Sequence, residues 1–128
     1  MIRLSEEEII FLHSKLIKRY GGSDGIRDEN ALDSALNAPF QTFGSLDLYP
    51  SVIEKSVRLA YCLITEHPFI DGNKRIGTMA MLMLLRLNNI SLSYSQPELI
   101  DIMLAIASGK KNYNDLLEWI LSHQRESY

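Results

Sequence analysis

Only one cysteine, Cys62, occurs in the 128 residues, so no intrachain disulfide can form. It sits inside an apolar helical pattern and reads as a buried, inert thiol of a reducing compartment. A basic excess is also missing. The formal net charge is −3 and the isoelectric point about 5.6, so no direct nucleic-acid binding is expected of the chain alone. Long apolar runs are lacking too. The longest, Met79 to Leu85, is far short of the ~20 residues that cross a bilayer. The start, "MIRLSEEEII", turns acidic at once and lacks the layout of a secretory leader. A cytoplasmic protein with no membrane contact is expected. "GGSDG" lacks the Lys-Ser/Thr of a Walker A loop, and no Cys/His cluster shows metal-ligand spacing. Strand signals are few: "ISLSY" alternates over 90–94 and "FGSLDLY" weakly over 43–49. Neither can build a sheet of its own.

Helix signals, by contrast, are plentiful. "LSEEEI" gives Ser5 as N-cap with Glu8 as its capping-box partner, opening a helix that runs to about Tyr20 and stops at Gly21-Gly22. A short helix begins near Asp28 and ends before Pro39. Ser51 and Glu54 repeat the box for a third helix, which reaches about Glu66. A fourth opens around Asn73 and closes at Asn88-Asn89. "SQPE" caps a fifth from Ser95 to about Ser108, and a sixth carries Tyr113 to about Gln124. The pattern predicts one all-α domain over 1–128, a compact bundle of about six helices. From Ile76 to Leu87 nearly every side chain of the fourth helix is apolar, which predicts a central element enclosed by its neighbours.

Between the third and fourth helices lies "TEHPFIDGNKRIG", where polar chemistry is concentrated. A helix N-terminus presents unpaired N–H groups and about half a positive charge, a natural anion site. Gly72 allows close backbone approach there, and Asn73 can cap the helix or hold the turn. Lys74 and Arg75 add cations that oppose the helix dipole unless an anion binds nearby. Asp71 adds a carboxylate able to hold magnesium against a phosphate. His67 can take a proton from a hydroxyl at neutral pH. Phe69 reads as an apolar anchor. Taken singly, each has a plain reading: Asp-Gly is often just a turn, and a Lys-Arg pair is often solvated. His13 and His123 read as cap or surface residues. The concentration in nine residues points to phosphate handling. That leaves two classes open: catalytic transfer from a nucleotide to a hydroxyl, or a non-catalytic helical module that uses the nest as a grip.

"HPFIDGNKR" resembles the signature of the Fic/Doc superfamily. The likeness extends over "RYGGSDGIRDENALDSALNAP", "YPSVIEKSVRLAYCLITEHPF" and "ASGKKNY" to the death-on-curing branch. The resemblance implies an all-α bundle that moves part of ATP onto a protein hydroxyl. His67 would be the general base and Asp71 the magnesium-associated carboxylate. Gly72, Asn73, Lys74 and Arg75 would contact phosphates, and the segment from about Phe40 to Tyr49 would be a flap that aligns the target peptide by strand addition. Two positions depart from adenylyl-transferring members: Lys74 replaces a glycine and Thr78 stands where a second arginine would be. The death-on-curing toxins share the lysine, and in them the γ-phosphate faces the hydroxyl. A kinase acting on a threonine of elongation factor Tu is therefore implied, with adenylyl transfer as the alternative. Gly72 keeps the glycine of the adenylyl-transferring form.

The resemblance also implies a small antitoxin that inhibits in trans. Some relatives carry their own inhibitory helix, with a Ser/Thr-x-x-x-Glu-(Gly/Asn) pattern. "SHQRES" has Ser122 and Glu126 at that spacing, but Ser127 fails the last position, so the stretch reads as the end of the sixth helix.

Overall fold

The computed structural model describes residues 1–125. Six α-helices carry the fold: α1 (Glu6–Tyr20), α2 (Glu29–Asn37), α3 (Val52–Glu66), α4 (Asn73–Leu87), α5 (Gln96–Ala107) and α6 (Tyr113–Ser122). Their starts follow local chemistry. Capping boxes pair Ser5 with Glu8, Ser51 with Glu54, Ser95 with Glu98 and Asn112 with Asp115, while the Asp28 carboxylate accepts from the Ala31 amide. Gly21 ends α1 and Gly109 follows α5, both at positive φ, and Asn89 does the same after α4 at φ 64°. Pro39 turns the end of α2 into a short 3-10 segment, Ala38–Phe40.

The all-α expectation holds, with four short strands added among the described residues, in two antiparallel pairs. Strands β1 (Thr42–Phe43) and β2 (Leu46–Asp47) pair antiparallel inside the expected flap. Gly44, at φ 65°, takes the first of the two turn positions, where a type II′ hairpin turn requires glycine. The "ISLSY" alternation becomes β3 (Ser91–Leu92), paired with β4 (Gln124–Arg125). The sixth helix therefore ends two residues earlier than its apolar pattern suggested, and the chain turns at His123 to give the isolated strand a partner. Ser122 closes α6, whereas Glu126 and Ser127 of the inhibitory-pattern comparison lie outside the described residues. His123 caps α6 as expected, its ring stacked on Trp119 at 4.0 Å.

One expectation needs correcting. The fourth helix is not enclosed: Met79 and Leu87 are exposed, and Leu82 and Met83 are only half-buried. The enclosed helix is α3, which is buried on nearly every side, including Lys55 and Ser56. Two core halves explain this. Leu32, Ala35, Leu59, Leu63, Phe69 and Ile76 belong to the first half. Val57, Ile64, Met81, Ile102, Leu116 and Ile120 belong to the second. Side chains of α3 supply both halves and α4 covers it from one side, so a second side of α4 is left without a neighbour. The two helices meet closely at Gly77, where an added Cβ would lie 2.7 Å from Ile64 Cγ1. No helix among the described residues is long and apolar enough to cross a membrane.

Candidate active site

The α3–α4 joint is built by its backbone. Pro68 disfavours the helical region for the residue before it, so α3 has to stop at Glu66. His67 then takes the left-handed conformation, φ 50° and ψ 57°, which costs a non-glycine residue about 1 kcal/mol or more. Arg27 offsets that strain. Its Nε donates to the His67 carbonyl at 2.6 Å and an Nη to the Glu66 carbonyl at 2.9 Å, satisfying the end of α3. The rest of the 21–28 loop clasps the joint. Ile26 bridges Phe69, the Arg27 amide donates to the Pro68 carbonyl at 2.8 Å, and the Ile70 amide donates to Gly25 at 3.0 Å.

Asn73 holds the turn rather than capping it. Its Oδ1 accepts from the Phe69 amide and its Nδ2 donates to the Phe69 carbonyl, both at 3.0 Å. The same Nδ2 is 3.5 Å from Nδ1 of His67, too long to dictate which ring nitrogen carries the proton. Gly72 precedes α4 at φ 77° and provides no side-chain cap. Each of the other five α-helices has one. The first amides of α4 thus have neither an intrahelical acceptor nor a capping oxygen. Asp71 is oriented by two amides, Gly72 N–H to Oδ1 at 2.8 Å and Ser23 N–H to Oδ2 at 3.3 Å. Gly22 must be glycine for this contact, since a Cβ there would sit 2.6 Å from Asp71 Oδ2. Lys74 and Arg75 are exposed on the first turn, with Arg75 reaching the Gly21 carbonyl at 3.4 Å and the Tyr20 ring at 5.0 Å. The structure therefore brings all six sequence-selected residues, His67, Asp71, Gly72, Asn73, Lys74 and Arg75, around one open cleft of about 490 Å3.

Sequence reasoning misplaced His13 as a surface residue. It is 1% exposed and lies parallel to the Phe69 ring, with 3.8 Å between ring centres and 9° between planes. Its Nε2–H donates to the Asp71 carbonyl at 2.6 Å, and Nδ1 lies 3.4 Å from the Asp24 carboxylate. Hydrogen bonds from the Ser14 hydroxyl and then the Gly25 amide, with help from the nearby His13, hold the Asp24 carboxyl below its usual range. The signal was legible in spacing: His13 follows Ile9 by four residues and precedes Leu16 and Ile17, all on the buried face of α1. Arg27 offered no such signal, because loop charges carry no periodicity.

Under the hairpin, Lys55 is buried and cationic. Its Nζ binds Asp47 Oδ2 at 3.2 Å and the carbonyls of Pro39 and Tyr49. It fixes both ends of the segment from 39 to 49 to α3, while Phe43 and Leu46 at the tip are 82% and 75% exposed. Cys62 is buried, and burial pushes its thiol up to about 11, as befits an inert side chain.

A profile described as the Fic/DOC family matches residues 3–85. A protein of Escherichia phage P1 named protein kinase doc is 30% identical over 110 residues, 86% of each chain. A Mycolicibacterium smegmatis protein named toxin Doc is 34% identical over 74 residues, 58% of this chain and 57% of that one.

Proposed function

The chain belongs to the Fic/DOC family, on its Doc branch, and from that premise we propose that it is the toxin of a toxin–antitoxin pair. In this reading it transfers the γ-phosphoryl group of ATP to a Ser or Thr hydroxyl of a translation factor resembling elongation factor Tu. The observation that carries the reading is the start of α4. Alone among the six helices it has no side-chain cap, yet its first turn bears Lys74 and Arg75. An uncapped turn loaded with cations is balanced by a bound polyphosphate.

The residues divide the work. The amides of the first α4 turn, with Lys74 and Arg75, hold the phosphates. The hydroxyl oxygen attacks the γ-phosphorus, the bond from that phosphorus to the β–γ bridging oxygen breaks, and ADP leaves. The hydroxyl proton passes to the His67 ring, whose Nε2 has no protein partner among the described residues. Asp71 fits a magnesium ion: its carboxylate is fixed by amides but keeps free lone pairs. Magnesium takes one or two carboxylates and completes its shell with phosphate and water. Bound there, magnesium would neutralise charge building on the phosphates. The hairpin at 42–47 would align the target peptide by strand addition. A cognate antitoxin would inhibit in trans.

Labelled ATP and a cell extract test this. Label from the γ-position is expected on a protein hydroxyl and is lost in His67→Ala. Label arriving only from the α-position replaces phosphoryl transfer with adenylyl transfer. Absence of both, with retained phosphate binding, favours the binding-module class. Lys74→Gly is expected to impair the reaction or change its product; an unchanged product and rate would remove the argument from nucleotide orientation.

A further inference from the structure

Arg58 is the one α3 cation between the flap and His67, and it is unemployed. Lys55, Arg58, Cys62 and Glu66 are spaced three or four residues apart and so share one face of α3. Lys55 holds the flap's root. One turn further on, the Arg58 guanidinium lies 5.3 Å from the ring of Tyr49, where the flap ends, and 5.9 Å from those of Tyr61 and Tyr113. These rings are braced against one another, Tyr49 edge-on to Tyr113 at 5.5 Å, and Tyr113 donates to the Glu54 carbonyl. Three aromatic faces therefore restrain a long side chain that otherwise loses considerable rotamer freedom when fixed.

The restrained cation lacks an anion. Arg58 Nε is buried with no hydrogen-bond partner, and the half-buried side chain makes no ion pair among the described residues. Glu66, two turns on, does not supply one. Its Oε2 is also buried without a partner, and burial pushes its carboxyl up, against the pull of Arg58. A guanidinium preset by aromatic walls is a receptor for a planar carboxylate, which its two terminal Nη groups can bind end-on by two parallel hydrogen bonds.

We propose that Arg58 selects an acidic residue in the protein substrate, about four positions from the modified hydroxyl. The spacing follows from geometry. His67 follows Arg58 by nine positions, about 13 Å along the helix axis. An extended peptide added to the flap covers that span in about four residues. The inference rests on the flap-and-histidine reading above, but not on which phosphorus is attacked.

The test uses the full chain, doubly labelled ATP and Thr-centred peptides in which each flanking position is set in turn to Glu, Gln or Lys. Wild type is expected to prefer Glu over Gln about tenfold in kcat/KM at a position three to five residues from the threonine, on one side only. Arg58→Gln is expected to flatten that preference, Arg58→Lys to keep part of it, and Arg58→Glu to turn it toward Lys. These ratios are internal to each variant, so a partly unfolded preparation does not alter them. Transfer without an acidic preference, or a preference that survives Arg58→Gln, overturns the role of Arg58 and leaves the transferase reading standing. No His67-dependent transfer to any peptide or to extract protein overturns both.

Discussion

A histidine lying flat on Phe69 gives the motif loop a rigidity that its own sequence cannot. Asp71 and Gly72 are loop residues, and loop residues hold a reacting geometry only when something rigid grips them. His13 grips from α1: the ring packs on the loop's apolar anchor, and its N–H takes the Asp71 carbonyl. Gly72 leaves room for this, since a Cβ there would lie 3.5 Å from His13 Nε2 and 3.1 Å from Ile17. Truncation by His13→Ala should therefore act twice, lowering stability by about 2–4 kcal/mol through a buried cavity and an unpaired carbonyl, and slowing transfer beyond the loss of folded protein. His13→Gln, still able to donate to Asp71, should recover part of the rate. Urea unfolding together with rate per folded molecule decides it. An Ala variant that unfolds at the wild-type midpoint would show that the stacking holds nothing.

At the scale of elements, what the sequence made legible was local. Capping boxes at Ser5, Ser51 and Ser95 each satisfy orphan amides with side chains three residues apart, so the helix starts could be placed from a few letters. The six motif residues were legible for the same reason, since they fall within nine consecutive positions, whereas Arg27, which braces them from a distant loop, was not. What could not be read was which helix lies at the centre. The run from Ile76 to Leu87 looks more deeply buried than α3 by composition, yet α3 is enclosed, because its burial is decided by elements far away in the chain. The packing does explain one letter inside that apolar run. Gly77 sits where α4 crosses α3, and a methyl group there would meet Ile64 Cγ1 at 2.7 Å and the Ala60 carbonyl at 3.1 Å. In a free helix Gly→Ala gains about 1 kcal/mol. Here overpacking of about 1–3 kcal/mol opposes it, and backbone oxygen cannot step aside. Gly77→Ala is thus expected to destabilise by up to about 2 kcal/mol in thermal or urea unfolding; a stabilised variant would mean that the α3–α4 contact is looser than described.

For the whole molecule, the consequence of two core halves meeting on α3 is cooperativity. Leu59 and Leu63 face the half built with α1 and α2, whereas Val57, Ala60 and Ile64 face the half built with α5 and α6. Neither half can lose its packing without releasing one side of the same helix, so both should unfold in one transition. Trp119, the sole tryptophan, packs against the second half and reports on it alone. Leu32 belongs to the first half and Leu116 to the second, and both are fully buried. Leu32→Ala and Leu116→Ala should each lower stability by about 2–5 kcal/mol. Leu32→Ala should move the Trp119 fluorescence midpoint as far as it moves the loss of helical circular dichroism, although no part of Leu32 belongs to the tryptophan's half. If the tryptophan transition stays put while helical signal is lost, the halves melt separately. The joint carrying His67 would then be anchored by the first half alone, since Phe69 and Ile76, on either side of its polar residues, both belong there.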